Sequence, residues 1–385
     1  MDFSPPESLA GIRAAVRELC AQFPGEYWQG LEPDGYPDEF VAALTDGGWL
    51  GALVPEQYGG AGLTLTEASA ILEEISRSGG NPGTVHAQMY IMGTLLRHGS
   101  DAQKARYLPS IASGELRLQA FGVTEPTAGS ETTSIETFAE RIDGGYRING
   151  QKIWTSRAQH SDLMLLLART TPKDQCVKRS DGLSTFLVDM REAGSALEIR
   201  PIATMMNHHS CEVFISDLVV GDDSLVGEEG KGFRHILDGM NAERVLIAAE
   251  CIGDGRFFLD RATRYANERV VFGRPIGANQ GVQFPLARAH AAIEAADLVR
   301  FKAAWLFDAG EPCGPEANMA KLLASDASWM AANAAVDTHG GFGFAQEYDI
   351  ERKFRETRLY QVAPIANNLV LAYLGQHVLG LPKSY

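Results

Sequence analysis

Apolar residues return every three or four positions between residues 63 and 113, the period of helices that bury one face. The stretch LTLTEASAILEEISRS (63–78) follows the turn-prone Gly59, Gly60 and Gly62 and stops at Gly79 and Gly80. Residues 82–98 and 101–113 repeat the pattern, so 1–118 reads as a helical block. Between 119 and 227 the texture changes. Short apolar or β-branched runs, GGYRINGQKIW (144–154), DLMLLLA (162–168), LSTFLVDM (183–190) and CEVFISDLVV (211–220), are cut by Gly, Asp, Asn and Pro, as in a compact β barrel or sandwich. The helical period then resumes over 231–252, 253–268, 282–308, 315–337 and 348–378, several of them rich in closely packing alanine. The expected fold is multi-domain α+β, with an N-terminal helical domain (1–118), a central β domain (119–227) and a C-terminal helical bundle (228–385).

One position breaks the pattern. On the helix over 231–252, Ile236, Met240, Glu243, Ile247 and Cys251 fall on one face. The neighbours three and four residues from Glu243 are Gly239, Met240, Leu246 and Ile247, so its own helix offers no ion pair there. A carboxylate among hydrophobic groups resists ionisation and approaches the range suited to a general base. The alternative is a structural pair with a distant arginine.

With 385 residues, 45% of them hydrophobic, the chain can build two or three packed units. Its net charge of −15 argues against nucleic acid and against an anionic membrane surface. No apolar run approaches the roughly 18 residues that span a bilayer. The N-terminus lacks a basic start followed by an apolar block, so a cytoplasmic location is expected. Cys20, Cys176, Cys211, Cys251 and Cys313 lack metal-type spacing and read as reduced thiols, with no metal.

Four further segments stand out. FGVTEPTAGS (121–130) leaves a β run for a loop of small and hydroxyl residues that can approach a planar cofactor or an anion. It contains neither a dinucleotide-binding nor a P-loop glycine pattern, and it also fits a plain turn. KIWTS (152–156) sets Trp154 beside Thr155 and Ser156, RVVFGRPIGANQ (269–280) carries Arg269, Phe272 and Gln280, and DTHGGFGF (337–344) carries Gly340 and Gly341. Trp154 also fits ordinary packing, and the glycine pair also fits a helix cap.

In this order and at these separations, the four segments resemble the acyl-CoA dehydrogenase family of flavoproteins, from about residue 40 to 380. The resemblance implies a helical domain, a central β barrel, a C-terminal helical domain and a homotetramer or homodimer. It implies that FAD is lined by Phe121, Val123, Thr124, Gly129 and Ser130, with Ser130 also near the CoA chain. Trp154 would shield the flavin ring, and Thr155 and Ser156 would hydrogen-bond near its reactive edge. Arg269 and Phe272 would meet the FAD of a neighbouring subunit, with Gln280 close by. Gly340 and Gly341 would approach the diphosphate. Asp337, where the family often has Gln, and Asn368 fall at further cofactor positions.

The implied activity is α,β-dehydrogenation of an acyl-CoA thioester to a trans-2-enoyl-CoA, with electrons passed to an electron-transferring flavoprotein. Most members carry the base as a glutamate near the C-terminus, but here that place falls on Pro364. A smaller set, including isovaleryl-CoA and long-chain acyl-CoA dehydrogenases, carries it on the helix that opens the third domain. NAERVLIA (241–248) resembles that arrangement, with Glu243 as base and Asn241 and Arg244 toward CoA. Proline at 364 also removes a backbone N–H that in the family polarises the thioester oxygen. That departure leaves a second reading, a flavoprotein of the same fold acting as an eliminase, desulfinase or oxidase on a CoA thioester. A DNA-associated relative of the fold would carry a basic extension, which this acidic chain lacks.

Overall fold

A computed structural model describes residues 7–383. The elements follow the order set by the hydrophobic periods. First come α1 (Glu7–Cys20), α2 (Gly25–Gly30), α3 (Asp38–Asp46), α4 (Leu65–Arg77), α5 (Gly83–His98) and α6 (Asp101–Ala112). The strands β1 (Leu118–Gly122), β2 (Phe138–Ile142), β3 (Gly145–Ser156), β4 (Leu163–Arg169), β5 (Leu183–Asp189), β6 (Leu197–Pro201), β7 (Ser210–Gly221) and β8 (Leu225–Val226) come next. Then follow α7 (Gly232–Glu268), the hairpin β9 (Val270–Val271) and β10 (Arg274–Pro275), α8 (Gln280–Asp308), α9 (Gly314–His339), α10 (Ile350–Thr357) and α11 (Asn367–Tyr373). No helix among the described residues is long and apolar enough to cross a membrane.

Packing divides the chain into two units. One comprises Val41–Leu63 and Gly83–Met240. Its strands form one sheet in the order β6-β7-β3-β2-β4-β5-β8, with β1 parallel to β4. The run LMLLLA lies in β4, which is buried along its length. Leu163 and Leu165 pack with Ile91, Met92, Leu95 and Leu108 of α5 and α6. Met164, Leu166 and Ala168 join Tyr146, Ile148, Phe186, Val213 and Ile215 in a second core. A strand buried on both faces has no polar alternation, and this one has none.

The other unit comprises Met1–Phe40, Thr64–Pro82 and Asn241–Tyr385. The N-terminus of α4 is closed by a capping box of Thr64 and Glu67, as the start signal after the glycines predicts. Helices α8 and α9 pack together, with Ala289, Ala296 and Ala303 of one and Ala320, Ala324 and Ala331 of the other buried. Small residues at that spacing let the backbones approach closely.

Two expected boundaries differ. The separate helices over 231–252 and 253–268 are one continuous helix, α7. Gly253 and Gly255, which look like breakers, are contact points. A β carbon at Gly253 would strike the Glu73 carbonyl oxygen and lie 2.7 Å from Ser76 Cβ, and one at Gly255 would lie 2.6 Å from the Ile293 side chain. The single stretch over 348–378 is instead broken. After α10 a 3₁₀ turn (Arg358–Gln361) leads into a loop through Pro364 before α11 begins. Proline has no N–H for a helix and restricts the residue before it, so the periodic pattern cannot continue.

Candidate active site

In the sheet-bearing unit, β1 delivers Phe121 to the start of the 123–130 loop. Phe121 and Val123 are half-buried against the core of Ala128, Ile135, Leu167, Leu183 and Ile236. The loop folds tightly, since Glu125 and Ala128 exchange backbone hydrogen bonds at 3.2 and 3.1 Å. Thr124 is half-buried, its carbonyl accepting from the Ile153 N–H at 2.9 Å. Gly129 and Ser130 are exposed, and open space surrounds the position of a β carbon at Gly129.

The pairing of β3 with β7 shifts register between Lys152 and Thr155. Such a bulge re-aims one side chain out of the ladder. Here it is Trp154, which adopts φ 60 and stands 55% exposed. Thr155 is fully buried and its Oγ has no hydrogen-bond partner, while Ser156 is half-buried. Arg157 and His209 also have positive φ, and the Arg157 N–H donates to the His209 carbonyl at 2.7 Å. A left-handed backbone at bulky residues costs energy and gathers where structure serves a site.

In the helical unit, β9 and β10 form a hairpin whose two turn residues, Phe272 and Gly273, have φ 51 and 76. That primed turn projects Phe272 wholly into solvent. The exposed Arg269 lies with its guanidinium carbon 5.7 Å from the Phe342 ring centre. Gly340 ends α9 with φ 58, and nothing lies within 4 Å of a β carbon built on it or on Gly341. Asp337, Gln280 and Asn368 are all exposed.

Glu243 sits on α7 with 5% of its surface exposed. Around it on the expected face, Ile236, Ile247 and Cys251 are buried and Met240 is half-buried. One turn-neighbour contact forms within the motif, from Arg244 Nη1 to Asn241 Oδ1 at 3.2 Å. Burial lowers the Arg244 guanidinium from its ordinary value, against the charge of Glu243, which raises it. Arg244 Nε is buried with no hydrogen-bond partner.

Two lysines outside the expected site residues are buried. Lys152, with no exposed surface, donates to Glu125 Oε1 at 2.8 Å and to the Val123 carbonyl at 3.1 Å. Glu125 also accepts from the Glu136 and Thr137 N–H groups at 2.6 and 2.9 Å. Burial alone would raise Glu125, but Lys152 and these N–H donors outweigh it and hold the carboxyl below its usual range. Burial takes the Lys152 ammonium down to about 8. The second is Lys321 of α9, also without exposed surface, which donates to the Ile365 carbonyl and to Asn367 Oδ1, each at 2.7 Å. The available signal was a lysine on an inward strand position in one case and on an alanine-lined helix face in the other.

Comparison with known proteins identifies the lineage. The chain belongs to the acyl-CoA dehydrogenase family: residues 6–115, 120–218 and 230–366 match its N-terminal, middle and C-terminal domains. It is 35% identical over 387 aligned residues to acyl-CoA dehydrogenase fadE12 of Mycobacterium bovis, covering 100% of this chain and 99% of that protein. A glutaryl-coenzyme A dehydrogenase structure, in complex with glutaryl-CoA, superposes with TM-score 0.91 at 30% identity, covering 100% of this chain and 98% of the other. Butyryl-CoA dehydrogenase of Megasphaera elsdenii gives TM-score 0.89 at 28% identity over 98% and 100%. These proteins are oxidoreductases acting on CH–CH bonds.

Proposed function

We propose that the protein is an FAD-dependent acyl-CoA dehydrogenase with Glu243 as its base. One observation carries the reading: a glutamate is buried on α7 in a chain whose usual base position is occupied by Pro364. The 361–367 loop, QVAPIAN, offers no carboxylate of its own.

The residues present suit FAD. The orphaned Thr155 hydroxyl calls for a polar partner, Trp154 offers an exposed aromatic face, and Gly129, Gly340 and Gly341 leave room for close backbone approach. Phe121, Val123, Thr124, Ser130 and Ser156 are assigned to the same cofactor. Arg269, with Phe272 and Gln280, would serve the pyrophosphate and adenine of a second copy in a homotetramer, since a guanidinium fork matches phosphate oxygens. Bound FAD supplies the hydride acceptor for the substrate's β carbon.

The chain's own part is proton chemistry and positioning. Glu243 accepts the α proton of the thioester, so the α C–H pair becomes the new C=C bond as hydride leaves the β carbon. Asn241 and Arg244, already joined to each other, orient the CoA portion. Burial around Glu243 keeps water from competing for the proton. The product is a trans-2-enoyl-CoA, and an electron-transferring flavoprotein takes the two electrons.

The test is anaerobic mixing of the FAD-loaded protein with a panel of acyl-CoAs. Bleaching of the flavin absorbance by at least one saturated acyl-CoA is expected. Because Pro364 has no N–H to polarise the thioester, a second reading is a relative with altered chemistry. A redox-neutral eliminase consumes its substrate without bleaching, and an oxidase consumes oxygen without the flavoprotein acceptor.

A further inference from the structure

We propose that Lys321 is a positioning residue of this reaction, a cation beneath the 361–367 loop that holds that loop in place. The inference rests on the assignment of Glu243 as base.

Helix α9 is lined by alanine around this position: Ala317, Ala320 and Ala324 are all buried. An ammonium there is destabilising unless it is well paired. Its pairing is specific. The Lys321 Nζ holds the Ile365 carbonyl and Asn367 Oδ1 at 2.7 Å each. Asn367 in turn donates to Ser325 Oγ at 3.1 Å and to Asp326 Oδ1 at 3.0 Å. Gln361 Nε2 donates to the same Asp326 oxygen at 3.0 Å, and Arg358 Nη1 donates to Gln361 Oε1 at 2.8 Å. Both ends of the loop are therefore fastened to α9, with Pro364 in the middle. A loop that lacks the Pro364 N–H must present its remaining N–H groups in a fixed direction to be useful, and these bonds supply the fixation.

The hold of this cation depends on pH. The titratable groups that act on Lys321 are the Cys251 thiol, Glu243 and Arg244 from α7 and Asp326 from its own helix, while residues 361–367 carry no titratable side chain. Burial lowers the Lys321 ammonium to about 8, against Cys251, Asp326 and Glu243, which favour its charge, and with Arg244, which opposes it. At neutral pH the cation is present and holds the loop, and its charge is lost as pH rises through about 8.

The experiment uses the full-length, FAD-loaded protein and compares K321Q, N367A and E243Q with wild type. Stopped-flow flavin reduction by the best acyl-CoA is followed across pH. Backbone amide exchange of 361–367 is followed without substrate. K321Q should slow reduction about 10- to 100-fold near neutral pH and should lack the fall in rate that wild type shows as pH rises through about 8, where the ammonium loses its proton. Its loop amides should exchange faster. N367A should loosen the loop and slow reduction while keeping the alkaline fall. A K321Q protein with wild-type rate, or with a slower rate and the alkaline fall retained, overturns the proposal. Where K321Q does not fold, N367A decides: unchanged loop exchange and reduction rate overturn it. If E243Q alone reduces at the wild-type rate, the assignment of the base has failed instead.

Discussion

The Lys152 ammonium lies 2.8 Å from Glu125 Oε1, and neither group is more than 5% exposed. This ion pair ties the inward face of β3 to the 123–130 loop, the stretch whose small residues first suggested a cofactor. The loop's shape therefore depends on a pair drawn from two separate motifs.

Breaking that pair strands a buried charge. Lys152→Met should destabilise the protein by about 3–5 kcal/mol, the usual cost of removing one partner. It should also loosen FAD. Chemical denaturation and the free-flavin fluorescence of the same preparation measure both.

The same pair predicts an acid sensitivity. Glu125 titrates below its ordinary value of 4.5 in the folded state. The unfolded chain thus binds the proton more readily, and stability rises with pH through that interval. The Glu125 contribution is fully present above 4.5 and is lost as pH falls toward the lower folded value. Thermal melts of wild type should fall through that window, and melts of Glu125→Gln should fall less.

Removing the proposed base tests the chemistry directly. Glu243→Gln keeps the size and the fold. It should leave the yellow colour but slow flavin reduction by about 10²–10⁴-fold, the usual contribution of a positioned base. Single-turnover mixing under anaerobic conditions reads the rate.

Trp154 separates backbone strain from function. With φ 60 and more than half its surface exposed, the residue gains little from burial. Trp154→Gly relieves the left-handed strain and should leave the melting temperature of the FAD-free protein unchanged or slightly higher. FAD should bind about two- to tenfold more weakly, the equivalent of an aromatic stack worth about 0.5–1.5 kcal/mol. Flavin titration of the apoprotein checks this.

Gly253 tests the continuity of α7. In an exposed helix Gly→Ala is stabilising. Here the added methyl meets the Glu73 carbonyl and Ser76. Gly253→Ala should instead cost about 1–3 kcal/mol through overpacking. A raised melting temperature would show that α4 can move aside.

Periodicity and motif order were enough to read the succession of helices, sheet and helices, because a repeat of 3.6 or 2 is a local property of the chain. They also made Glu243 conspicuous, since a charge in an apolar stripe is visible without coordinates. The tertiary structure decided the rest. Gly253 and Gly255 look like helix breaks until α4 and the Ile293 side chain arrive against them. Lys152 and Lys321 have no partner in their own neighbourhood of the chain until a carboxylate from one loop and a carbonyl from another close over them. Whether a polar side chain is buried depends on partners tens to hundreds of residues away, and no window along the chain contains both members of such a pair.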